Sequence, residues 1–463
     1  MTSAGSIDGL REQVRGPVFT PGDEGYDEAR EVYNAMHDRR PAVVVGAEND
    51  ADVMAAVGFA RENGLELAVR GAGHSAPGYG TCDDGIVLDL RRIRNVRVDP
   101  ERRTVRVGGG AQLGELDHAT CGYGLAVPAG FVSTTGVGGL TLGGGIGYLN
   151  RKHGLTCDNL LSADVITADG RRVTASEDQH PDLFWALRGG GGNFGVVTSF
   201  EFRLHPVGDR GEIVGGPVFF ELDAAADVIR TWRDYIREAP RELGAFFGFH
   251  QAPPLPFIPE ERQGEHMCVL VTCWSGDPDD AREALEPLLT AGPVVGQHVD
   301  RMPYPALQSA FDELLPPGLH SYWKSDFAAD LDDAAIEAHL EHGAKVPNVH
   351  SAMHIYPLTG AVQDVDDEAT AFGVRDADFA VNIVGFWPDP AESDAHIAWV
   401  RNYYEAVHPH SGYEGGYTNF MQAEDQARVR QNYGASYDRL ARVKANWDPG
   451  NLFRLNQNVE PAA

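Results

Sequence analysis

The segment Arg70-Gly71-Ala72-Gly73-His74-Ser75 sets one imidazole inside a turn of small residues. Side chains without bulk let successive backbone N–H groups converge on one anion, such as a pyrophosphate. An imidazole there is suited to ligate a metal or to bond covalently to a cofactor. Alone, the pattern also fits a tight hairpin with a surface histidine. Two further glycine runs alter the weighing: 128–147, PAGFVSTTGVGGLTLGGGIG, and 188–195, RGGGGNFG. Three such loops in one domain-sized stretch exceed the needs of a single phosphate and fit an extended dinucleotide. The run GGGIG at 143–147 lacks the strand before it, the helix after it and the acidic residue that a nicotinamide-dinucleotide fingerprint requires. His350 and His354 are four apart, but in a strand-like segment that spacing is roughly 13 Å, too far for one metal. No metal site is expected. Ser75 and Ser133 have no triad context, which argues against hydrolase chemistry.

These loops need a scaffold. Residues 65–69 and 85–90 read as apolar strands, joined as a hairpin through the glycine turn. Residues 42–45 read as a buried strand, and 48–63 as a helix capped by Asn49 and stopped at Asn63-Gly64. The lead-in, 1–40, reads as polar and helical. Alternation over 96–107 predicts a two-strand meander. A helix is expected over 112–123, strands over 160–167 and 196–204, and a helical turn over 182–187. The glycines of 128–147 exclude an ordinary helix or strand. From about residue 207 the glycine runs stop. Strand candidates at 218–222, 267–272, 321–328, 351–357 and 379–386 alternate with amphipathic helices at 224–238, 280–289, 332–341 and 393–407. That order suggests an antiparallel sheet backed by helices. The expected fold class is α+β in two domains: 1–207, then 208–415 as the substrate domain, with 416–463 returning to the first.

The chain has 463 residues, 43% apolar and 23% charged, ordinary for a globular protein. A net charge of −30, spread along the chain, disfavours nucleic acid and anionic membrane as partners. The five cysteines, Cys82, Cys121, Cys157, Cys268 and Cys273, follow no metal spacing and suggest free thiols in a reducing cytoplasm. The N-terminal MTSAGSIDGLREQV has neither a basic start nor an apolar run. No stretch of about 18 apolar residues exists, so no membrane span is expected. A cytoplasmic location is the expectation.

Four segments carry a resemblance. They are RGAGHS at 70–75, GFVSTTGVGGLTLGGG at 130–145, GLTCDNL at 154–160 and WDPGNLFRLNQN at 447–458. Together, in this order, they resemble the berberine-bridge-enzyme-like FAD-linked oxidases of the vanillyl-alcohol-oxidase superfamily. The resemblance implies a PCMH-type FAD-binding fold for the first domain and its C-terminal return, with FAD as cofactor. His74 matches the histidine bonded to the flavin 8α-methyl. Arg70, Gly71, Ala72, Gly73 and Ser75 would hold the pyrophosphate. Gly130, Thr134, Thr135, Gly136, Gly138, Gly139, Gly143, Gly144 and Gly145 would line the isoalloxazine and phosphates. Asp158, Asn159, Val165, Gly195 and Val197 would lie along the cofactor, and Asn456 and Asn458 would reach the flavin from the tail.

Members with two covalent links carry a cysteine where this chain has Val132, and Cys157 reads as a structural thiol. A single link through His74 is therefore implied, and with it a less open site that disfavours bulky oligosaccharides. Thr135 matches the position that gates oxygen; a small residue there implies O2 as acceptor. The implied reaction takes a hydride from a carbon bearing O–H or N–H in a small or medium alcohol or amine. Tyr433 is the expected base, Tyr437 its runner-up, and Tyr417, beside Asn419, and Tyr148 are further pocket candidates. A phenol, with a pKa of about 10, needs a cation to serve as base, and Lys324 or Arg375 could supply it. Trp323 reads as core or as a substrate wall, and one of His350 and His354 as a pocket residue. The alternatives are a dehydrogenase with another acceptor and a flavin-binding protein without turnover.

Overall fold

The computed structural model describes residues 6–463. A four-stranded, a five-stranded and an eight-stranded sheet frame a deep cavity. The first sheet has four strands in the order Val18–Phe19, Val43–Gly46, Ile86–Asp89, Leu67–Arg70. The Val43–Gly46 strand is buried at every position, as a parallel strand covered on both faces should be. The helix Asp50–Asn63 packs on this sheet. The Asn49 side chain accepts the Asp52 N–H, and Gly64, left-handed at φ 63°, closes the other end.

The hairpin expected over 65–90 is corrected by the structure. Leu67–Arg70 and Ile86–Asp89 pair in parallel, with Leu67 opposite Ile86. Parallel neighbours need a crossover, and the glycine turn begins that crossover instead of folding straight back. The polar lead-in is helical only over Ile7–Gln13 and Tyr26–Arg30. Between them, Val18–Phe19 joins the sheet edge. The first five residues lie outside those described. The 128–147 stretch contains a short helix, Val137–Leu142, which its glycines were expected to forbid. Burial of Val137, Gly138 and Thr141 outweighs propensity there.

The second sheet is antiparallel, ordered Val96–Asp99, Thr104–Gly108, Val196–Arg203, Leu160–Ile166, Arg172–Ser176. The large sheet is antiparallel too. Its main path runs Val294–Gln297, Glu212–Glu221, His266–Trp274, Leu243–Gln251, Ala352–Pro357, Phe379–Trp387, His320–Ala328. One of its faces packs Phe247, Phe249, Met353, Ile355, Val381 and Ile383 against the helices Ala225–Glu238, Ala281–Leu289, Asp333–Gly343 and Ser393–Val407. The opposite face turns Phe246, His250, His354, Tyr356 and Asn382 to the cavity. This is the period-2 division of a strand.

The C-terminal segment folds back onto the first two sheets. Leu440 and Val443 join the core of the second sheet, and Phe453 joins that of the first. The buried Lys444 ammonium donates to Asp448 at 2.7 Å and to the carbonyls of Asn193 at 2.7 Å and Phe453 at 2.9 Å. That anchor fixes residues 453–457 against the cavity. Among the described residues, no helix is long and apolar enough to cross a membrane.

Candidate active site

The cavity measures about 360 Å³. At one end lie Arg70 to Ser75, Gly130, Thr135, Gly136, Gly138, Gly139, Gly195 and Val197. The N–H groups of Gly71 to Ser75 donate to no acceptor among the described residues, a row of unfilled donors suited to an anion. Gly136 cannot be enlarged, since a Cβ would lie 2.9 Å from the Ala72 nitrogen. The two glycine loops close on one another at that point. The Arg70 guanidinium is engaged by the protein. It meets Asp89 at 2.9 Å and donates to the carbonyls of Glu31 and Ala29, holding the strand end and the loop in register.

His74 stacks on Tyr33 with ring centroids 3.9 Å apart. Burial lowers its pKa to about 4, against a smaller opposing effect of the Thr134 carbonyl that accepts from the ring. The imidazole is therefore neutral at physiological pH, with one nitrogen oriented by Thr134 and the other available as a nucleophile. Thr134 itself does not line the cavity. Its contribution is that carbonyl. From the tail, Asn456 and Gln457 line the same end, and the buried Asn456 Oδ1, Gln457 Nε2 and Gln457 Oε1 have no protein partner. Unfilled donors, unfilled side-chain amides and a neutral imidazole together fit FAD.

Several expected residues sit behind the wall. Gly143, Gly144 and Gly145 do not line the cavity, but the Gly145 N–H donates to the Tyr417 hydroxyl at 2.8 Å, and the Asn419 amide does the same at 2.8 Å. Asp158 takes both oxygens to Arg375, at 2.7 and 2.8 Å. Asn159 bonds His205 and the carbonyls of His153 and Leu155. Val165 is core, packed where Gly195 leaves room for it. Asn458 lies off the cavity and bonds Gln426 through its N–H. These side chains brace the cavity from outside.

The tyrosines separate in the same way. Tyr417 and Tyr433 line the cavity, whereas Tyr148 and Tyr437 do not. Tyr148 is sealed behind Phe131, edge-on at 4.8 Å. Tyr437 packs under the Arg430 guanidinium, 4.6 Å from its ring centroid. Tyr433 donates to the Gly190 carbonyl at 3.1 Å, and burial raises its pKa. The cations expected to activate a phenol are engaged elsewhere. Lys324 is bound to Asp425 at 2.6 Å and Glu424 at 3.0 Å, and Arg375 is held by Asp158. Tyr433 lines the cavity with its hydroxyl on Gly190 and with neither of the expected cations beside it.

The far end is aromatic. Phe131 stacks on Tyr356 at 4.4 Å, and Phe246, Phe311, Trp323 and Phe420 complete the enclosure. Val132 lines the cavity and no cysteine does; Cys157 is buried beside Asp158, its thiol pKa pushed up by burial. Both His350 and His354 line the cavity. Sequence reasoning missed His250, Tyr356 and Asn382. The alternation Phe246, Gly248, His250 inside LGAFFGFHQ could have revealed the first, but that strand is apolar on both faces and lacks a β-branched residue.

Two family models match: an FAD binding domain over residues 41–176, and berberine and berberine-like over 416–460. An uncharacterized FAD-linked oxidoreductase of Bacillus subtilis is 31% identical, covering 97% of this chain and 98% of its own. The solved 6-hydroxy-D-nicotine oxidase of Arthrobacter nicotinovorans superposes with a TM-score of 0.86 at 27% identity, over 97% of this chain and 98% of the other. Xylooligosaccharide oxidase of Myceliophthora thermophila, solved with xylobiose, gives 0.85 at 25% identity over 100% of both chains. An FAD-shaped set of unfilled donors, the matching domain models and full-length kinship lead to one assignment: the chain belongs to the berberine-like FAD-linked oxidoreductases.

Proposed function

We propose that this chain is an oxidase carrying FAD on a single covalent bond to His74, acting on a small substrate with O2 as the final acceptor. The observation that carries this reading is the neutral, buried His74 ring set among the unfilled N–H groups of Gly71 to Ser75. Bound FAD supplies the acceptor for two electrons and a hydrogen from a carbon bearing O–H or N–H. Gly71 to Ser75 hold the pyrophosphate, and Gly136 to Gly139, Asn456 and Gln457 fix the rest of the cofactor. Tyr417, clamped by Gly145 and Asn419, and Tyr433, tied to Gly190, form rigid walls beside the flavin. Absence of a cysteine from the cavity wall supports the single link. The small Thr135 on that wall supports access of O2. The aromatic closure of the far end supports a compact substrate over an oligosaccharide.

Acid precipitation tests the cofactor claim. The yellow colour should stay with the pellet, and mass analysis should place flavin on the His74 peptide alone. Colour released to the supernatant, or flavin on the Cys157 peptide, would overturn the single histidyl link. Oxygen uptake coupled to peroxide formation during turnover tests the acceptor; turnover with a dye but no oxygen uptake would make the protein a dehydrogenase.

A further inference from the structure

The cavity wall built by the large sheet holds a hydrogen-bond chain with no role in the cofactor site. His250 Nε2 lies 2.7 Å from His354 Nε2, and His354 Nδ1 lies 2.9 Å from the Tyr356 hydroxyl. Burial raises the Tyr356 pKa, and the Asn382 side chain, bonded to the same hydroxyl, opposes that shift by a smaller amount. One order of protons satisfies the set: Asn382 N–H to Tyr356, Tyr356 O–H to His354 Nδ1, His354 Nε2–H to His250 Nε2. The arrangement depends on Gly248, which sits opposite His354 in the sheet. A Cβ there would lie 2.7 Å from His354 Cδ2, so only glycine lets the ring lie across the strand toward His250. Burial keeps both imidazoles neutral, lowering His250 to about 4 and His354 well below the ordinary value.

We propose that Tyr356, backed by the His354–His250 pair, accepts the O–H or N–H proton of the substrate, and that the substrate is a neutral aromatic alcohol or amine. This rests on the oxidase reading above. Of the other titratable groups at the wall, Tyr433 donates to Gly190 and His350 Nδ1 is 2.7 Å from the Leu314 carbonyl; the Tyr417 hydroxyl accepts two N–H groups, and among the described residues neither it nor Tyr79 is hydrogen-bonded to an imidazole that could take its proton. Among the described lining residues there is no Asp, Glu or Lys, and Arg70 is paired with Asp89. A carboxylate or ammonium ligand would be buried without a partner, which is costly. A flat neutral ring finds Phe131, Phe246, Phe311 and Phe420.

The proton count closes. The substrate O–H or N–H bond breaks, its electron pair stays on the heteroatom, and the proton goes to the Tyr356 oxygen. Tyr356 gives its own proton to His354 Nδ1, and His354 gives its Nε2 proton to His250 Nε2, leaving one positive charge on His250. Bound FAD would supply the acceptor for the C–H hydrogen and its bonding pair, so that the heteroatom's freed pair closes a C=O or C=N bond. Loss of that hydrogen makes the heteroatom proton strongly acidic, so a weakly basic relay suffices.

Titration of the yellow holoenzyme at about pH 5.5 with 4-nitrophenol, neutral at that pH while 4-nitrobenzoate remains an anion, read in the flavin absorption band, probes the site without turnover. We expect 4-nitrobenzoate to bind about tenfold more weakly or worse, and Tyr356→Phe and His354→Gln each to weaken 4-nitrophenol by about tenfold. Unchanged binding in Tyr356→Phe, or a larger loss in His350→Gln, overturns the inference. Anaerobic bleaching of the flavin by benzyl alcohols and benzylamines supplies the second arm. Tyr356→Phe should slow bleaching by about a hundredfold or more, and His250→Gln by about tenfold with a displaced acid limb of the pH profile. Bleaching of Tyr356→Phe at the wild-type rate overturns the proton-acceptor role. If Tyr356-dependent binding persists but no compound bleaches the wild-type flavin, the oxidase reading falls instead.

Discussion

Lys444→Met tests whether the C-terminal segment is held to the cavity by one buried cation. Lys444 and Asp448 are both fully buried, and the ammonium spends its three hydrogens on Asp448 and the carbonyls of Asn193 and Phe453. Methionine keeps most of the stem volume, so the change is electrostatic. It strands the Asp448 carboxylate and the Asn193 carbonyl, while the Phe453 carbonyl keeps the Asn456 amide at 3.0 Å. Removing one partner of a buried pair costs about 3–5 kcal/mol. Asp448 retains the N–H groups of Leu452 and Phe453, both at 2.8 Å, which moderates its share; the orphaned Asn193 carbonyl adds about 1 kcal/mol or more. The expected loss is about 4 kcal/mol. Urea unfolding of the holoenzyme, followed by tryptophan and flavin signals together, measures it. Flavin emission should change with the mutation, because Phe453, Asn456 and Gln457 line the cavity directly beyond the anchor. Lys444→Met with Asp448→Asn removes the stranded charge and should regain at least half of the loss. A single variant within about 1 kcal/mol of wild type, or a double variant no better than the single, would refute the reasoning.

Gly248→Ala should cost about 1–3 kcal/mol and weaken 4-nitrophenol binding, because the new methyl meets His354 Cδ2 at 2.7 Å and the fixed Met353 carbonyl at 2.9 Å; an unchanged melting temperature and affinity would contradict it. Stability should fall on acidification. Burial lowers the pKa of His250 and His205 to about 4 and that of His339 and His153 to about 3, so these groups are neutral when folded but take up protons near 6.5 when unfolded. Their contribution is complete above pH 6.5 and is lost as the pH falls toward 4. Asp117, raised to about 7, and Asp326, raised to about 6, act in the opposite sense but are fewer. A melting temperature that rises between pH 6.5 and pH 4 would refute this balance.

The cofactor end was legible because its chemistry lies in short contiguous segments. The turn at 70–75 reads as an anion loop from its residue types, and the tail at 447–458 was placed by its resemblance to the family. Composition could not show that Leu67–Arg70 and Ile86–Asp89 pair in parallel, since pairing sense depends on where the crossover packs. The helix Val137–Leu142 was hidden for a related reason: burial against the core, absent from any propensity scale, stabilises it. Glycines such as Gly143 to Gly145 signal a close approach without saying whether ligand or protein makes it. Here the approach at Gly143 is made by Asn419, from the far end of the chain.

The substrate end was illegible because no segment contains it. His250 and His354 are 104 residues apart and meet only because Leu243–Gln251 and Ala352–Pro357 are sheet neighbours. Their register sets Gly248 opposite His354, and the missing side chain is what brings the rings within 2.7 Å. In sequence, a glycine inside an apolar run weakens the case for a strand. In the fold, Gly248 is what lets His354 reach His250. A one-residue slip of either strand would turn that strand's imidazole to the helical face and break the hydrogen-bond chain. Chemistry at this end is therefore encoded in register and not in any local motif.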